Sequence, residues 1–107
     1  MSNILILSFV LMFALTGQTQ NKAPDLSKIE DLKALGIGKI IEKDNSIIKR
    51  IILCEVKEYW IVYVKDESMH DMMMEKISRI EFSESKWGPL QIIFPNNKPE
   101  ISSLNTY

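Results

Sequence analysis

The chain has 107 residues, with 13 Lys and Arg against 14 Asp and Glu, one His and one Cys. That length holds one small domain, and a single cysteine, Cys54, excludes an intramolecular disulfide. The balanced, interspersed charge excludes the basic stripe that phosphate-driven nucleic-acid binding requires, and it gives no support to electrostatic attachment to an anionic membrane.

Residues 1–21 carry no charged side chain, and Ile4 to Leu15 are apolar apart from Ser8. An N-terminal run of this kind reads as the apolar region of a secretory signal, and it is short for a bilayer span of about 20 residues. We therefore expect residues 1–20 to be a signal peptide, with Ala14-Leu15-Thr16 or Gly17 near the cleavage site. The alternative is an uncleaved anchor, in which polar Thr16 to Gln20 reach the headgroups. The expected location is secreted or periplasmic, with membrane contact only if residues 1–20 stay as an anchor. Residues 21–107 then form a single small β-rich domain.

Pro24 and Asp25 open a short helix over about residues 25–35, in which Leu26, Ile29, Leu32 and Leu35 recur every third position. Gly36 is placed to end it. At two to three turns it is too short to stand alone and must lay its apolar side on something.

That something is β structure. Ile37 to Lys43 is a strand candidate, followed by a tight turn at Asp44-Asn45 and an Ile-rich strand from Ser46 to Val56. Lys57-Glu58 turns the chain into Tyr59 to Val64, whose aromatic and β-branched residues have the strongest β propensity in the molecule. Both faces of this strand are apolar, which predicts a central strand covered on both sides, with Trp60 in the core or, after a one-residue slip of register, on the surface. Lys65 to Ser68 is a charged hairpin loop, and Met69 to Met74 returns as the paired strand. Glu75 to Ser78 reads as a 3₁₀ turn, Arg79 to Phe82 as a strand, and Leu90 to Phe94 as a last strand, placed at an edge by Pro89 and Pro95. The tail from Glu100 shows no pattern and is expected to be mobile.

These elements predict a mainly β domain: a small curled antiparallel sheet or SH3-like barrel of five to six strands with one short N-terminal helix. The order of hairpins, 3₁₀ turn and short strand over Ile37 to Phe82 resembles the layout of an SH3-like small barrel, with no diagnostic motif beside it. Barrels of that layout serve peptide-binding, nucleic-acid-binding and purely structural roles, so layout alone assigns none.

The chemistry on offer is thin. His70 has no Ser-His-Asp or Cys-His arrangement around it in sequence, the carboxylates are scattered, and Gly36-Ile37-Gly38 is half of a phosphate loop at most. We expect no enzyme and no cofactor. Cys54, inside Ile51-Ile52-Leu53-Cys54, reads as a buried small hydrophobe. On a strand, His70, Met72 and Met74 share one face, and imidazole with thioethers suits Cu(I), so a soft-metal (copper) envelope protein is the alternative function. The leading expectation is a secreted or periplasmic interaction module for an unknown protein or cell-envelope partner. Tyr59, Trp60, Tyr63 and Trp87 are its candidate contact residues, since Tyr and Trp are common interface anchors.

Overall fold

The computed structural model describes residues 23–104. The signal-peptide or anchor segment, residues 1–20, lies outside the described residues.

The helix, α1 (Ile29–Leu35), starts four residues later than its apolar spacing suggests. The Asp25 carboxylate explains the delay. It accepts the Ser27 backbone N–H at 3.0 Å and the Ser27 hydroxyl at 2.6 Å, and Lys28 N–H bonds the Asp25 carbonyl, closing a separate turn first. Gly36, at φ 77°, ends the helix with its N–H on the Lys33 carbonyl. Leu32 and Leu35 are buried.

Seven strands follow: β1 (Ile37–Glu42), β2 (Ile47–Val56), β3 (Trp60–Lys65), β4 (Ser68–Met73), β5 (Ile77–Phe82), β6 (Leu90–Ile93) and β7 (Glu100–Ser103). They form one antiparallel sheet in the order β4-β3-β2-β1-β5-β6-β7. The sheet is open, because β4 and β7 lie at opposite edges and no ladder joins them. A barrel of five or six strands is corrected to an open sheet of seven.

Two strand expectations change for identifiable reasons. Leu90 to Phe94 is no edge strand: its ladder to β7 uses positions 90 to 93, and both prolines fall just outside it. In the tail, Glu100–Ser103 form β7, where Ile101 pairs with Ile92 and packs against the core; residues 105–107 lie outside the described residues. The expected strand Met69 to Met74 ends at Met73. Met74 opens a 3₁₀ turn (Met74–Lys76) that carries the chain from the β4 edge back to β1, where Lys43 N–H bonds the Lys76 carbonyl.

The sheet has an inner and an outer face. Ile40, Ile80 and Ile92 meet on the inner face as cross-strand partners, with Ile51, Leu53, Ile61, Tyr63 and Phe82 beside them and α1 over them. Three irregularities break strict alternation. Between Ile48 and Ile51, Lys49 and Arg50 oppose Lys39 alone, with Arg50 at φ 57°. Between Leu53 and Glu55, Cys54 is the extra residue, half-buried rather than buried, with Sγ 3.6 Å from the Ile52 carbonyl. The third sits between Ile41 and Glu42. Gly38 is required where β1 crosses Phe82: a Cβ there would lie 2.6 Å from the ring and 2.8 Å from the Glu81 carbonyl.

Candidate interaction surface

The outer face divides into two unlike halves. Over β5, β6 and β7 it is polar. Lys39, Glu81, Gln91 and Ser102 form one cross-strand row, and Glu81 accepts from Arg79 at 2.7 Å and stands 3.6 Å from Lys39. A solvated sheet face has this character.

Over β1 to β4 the face carries an apolar row, with Lys39, Glu55 and Asp71 beside it. The registers put Ile37 opposite Ile52, Ile52 opposite Val64, and Val64 opposite Met69. Strands lie about 4.8 Å apart, so this row runs about 14 Å across four strands. Ile37 is 58% exposed, Ile52 44% and Met69 71%. Trp60, 42% exposed, and its partner Met73 add a second apolar pair four residues further along β3 and β4. Glu55, Val62 and Asp71 separate the two. This row makes the apolar surface a candidate contact site.

Trp60 is thus a surface residue, against its expected place in the core, and β3 is covered on its inner face only. The reason is that α1 packs against the inner side, leaving the outer side of β3 to solvent among the described residues. Tyr59 is exposed and lies just outside β3, where its carbonyl accepts the Met74 N–H at 2.9 Å. Tyr63 points to the inner face and is buried, with its ring stacked on His70 at 5.3 Å. Burial pushes the Tyr63 phenol up, and the Glu42 and Asp71 charges add to the rise.

Trp87 stands apart from these three. It is half-buried against the core, and it lines an open groove with Pro24, Leu26, Pro99 and Ile101, with the Lys86 ammonium 5.8 Å from its ring. Ala23, the first described residue, is part of that lining. The four aromatic residues therefore do not converge on one surface.

Of the three soft-metal candidates, two lie on β4 and one lies just beyond its end. His70 and Met72 share the inner side of β4, while Met74 lies in the 3₁₀ turn, 1% exposed within the core cluster. Among the described residues, no three His, Cys, Asp or Glu side chains group closely enough to hold a metal ion.

No match was found. The chain has no counterpart among protein-family models, curated proteins or solved structures. The surface has to be read from its own chemistry.

Sequence reasoning did not single out Ile37, Ile52 and Met69 as an exposed apolar row. Their signal is visible only once the registers are known, because the registers bring them side by side across separate strands.

Proposed function

We propose that this protein is a small non-enzymatic interaction module that docks a protein or cell-envelope partner on the apolar half of its outer face. The observation that carries the reading is the Ile37–Ile52–Val64–Met69 row, apolar and exposed beside a polar, ion-paired half of the same sheet. Apolar residues at that exposure add little to folding, so contact with a partner is the economical account of them. Export fits the same reading, with the run Ile4 to Leu15 serving as the signal, and the site of action is then outside the cytoplasm.

The test is a triple variant, Ile37→Ser with Ile52→Ser and Met69→Ser, made in the cells that produce the protein. Thermal stability should change by no more than a few degrees, because all three side chains already face solvent. Any larger assembly that contains the wild-type protein should disappear from native size fractionation. An unchanged assembly profile would overturn the reading.

A further inference from the structure

We propose that the open β4 edge pairs with the β4 edge of a second copy, antiparallel about a two-fold axis. This names an occupant for the β4 side of the contact surface and rests on that reading.

Hydrogen-bond phase is the starting point. Asp66 and Glu67, at φ 53° and 66°, form a two-residue turn between paired Lys65 and Ser68. Such a turn makes Lys65 and Ser68 a hydrogen-bonded pair, and bonded and non-bonded pairs then alternate. Met74 N–H on the Tyr59 carbonyl shows the same phase at the other end. Ser68, His70 and Met72 therefore direct their backbone groups at β3, and Met69, Asp71 and Met73 direct theirs outward.

The edge is open to pairing. Six consecutive pairs join β3 to β4 without a shift, and the strand holds no proline, lysine or bulge. Those are the devices that usually blunt an edge. By contrast, β7 has four residues, begins with a glutamate and follows Pro99.

A two-fold axis normal to the sheet keeps outer side chains outer, so residues pair with partners of like parity. Centring the axis on Asp71 pairs Met69 with Met73 of the second copy, Asp71 with Asp71, and Met73 with Met69. All three outward residues bond, giving six backbone hydrogen bonds. Shifting the axis by one residue either way leaves four. Two further bonds favour the longer ladder by roughly five- to a hundredfold, against roughly two- to fivefold for one facing carboxylate pair. The longer register also runs the Ile37–Ile52–Val64–Met69 row into Met73 and Trp60 of the second copy. A five-residue ladder buries well under the roughly 800 Å² per partner of a stable interface, so pairing is concentration-dependent and weak.

The experiment is sedimentation equilibrium of the full chain up to about 1 mM, in a mild non-ionic detergent that shields Ile4 to Leu15. Wild type should dimerise reversibly, and Asp71→Asn should tighten the dimer roughly two- to fivefold. Met73→Pro should weaken it at least tenfold with native melting. Met73 has φ −71°, which suits proline, and its N–H points away from β3, with no partner among the described residues. Should that variant fail to fold, an equal mixture of wild type and Asp71→Lys replaces it, and the mixed dimer should exceed both homodimers. Hydrogen exchange gives the register: amides of 69, 71 and 73 should gain protection with concentration, those of 68, 70 and 72 being protected throughout. Wild type and Asp71→Asn both monomeric, or a dimer indifferent to Asp71 and Met73, would overturn the proposal. The triple serine variant judges the docking face separately.

Discussion

Replacing Gly38 with alanine should be among the most damaging single changes in the domain. The added Cβ would stand 2.6 Å from two atoms of the Phe82 ring, where carbon contacts sit at about 3.5–4.0 Å. The ring is fully buried and the Glu81 carbonyl, 2.8 Å from the same point, is backbone in the β1–β5 ladder, so neither can withdraw freely. Overpacking of a rigid site costs about 1–3 kcal/mol, and two obstructions place this one near about 3. For a domain of this size that is a fall in Tm of about 12–24 °C. Calorimetry of the variant measures it, and Phe82→Leu supplies the control. Phe82→Leu alone opens a cavity and destabilises, while the double variant should recover part of the loss, a non-additivity of about 1 kcal/mol or more. Gly38→Ala melting within about 2 °C of wild type, or strict additivity with Phe82→Leu, would refute the packing of β1 across Phe82.

Other perturbations separate core from surface and local strain from tertiary packing. Met74→Ala should cost about 2–5 kcal/mol in denaturant unfolding, whereas His70→Ala should stay within about 0.5, because only Met74 is enclosed. Glu67→Gly should stabilise by about 0.5–1 kcal/mol, since Glu67 holds φ 66° at a turn position that favours glycine. Ser27→Ala should raise the Asp25 titration midpoint seen by NMR. The Ser27 hydroxyl and backbone N–H hold that carboxyl below its ordinary value, so its contribution is present above the unfolded pKa and fades as pH falls through the folded one.

The strands from Ile37 to Phe82 were legible because turn chemistry marks their ends. Asn45 takes φ 73° and Asp66-Glu67 forms the hairpin tip, as short polar turns between apolar runs suggest. The faces were less legible. Three bulges, two in β2 and one in β5, shift the parity of side chains along those strands, and a one-residue shift exchanges inside for outside. Trp60 reads as core because both faces of Tyr59 to Val64 are apolar, and it stands at the surface because α1 covers only the inner face. Prolines misplace β6 at an edge, because their effect depends on whether they fall inside the ladder or just beyond it. β7 has a single apolar residue facing inward, Ile101, too little for periodicity to register. The contact surface depends on cross-strand neighbours, which no stretch of sequence displays.

The central claim is that the apolar half of the outer face is where this protein meets a partner. Photo-crosslinking in the producing cells tests it directly, with a photoreactive residue at Ile52 in one variant and at Glu100, on the polar half, in another. The account predicts a discrete adduct from position 52 and none from position 100. Equal labelling from both, or none from position 52, would contradict it.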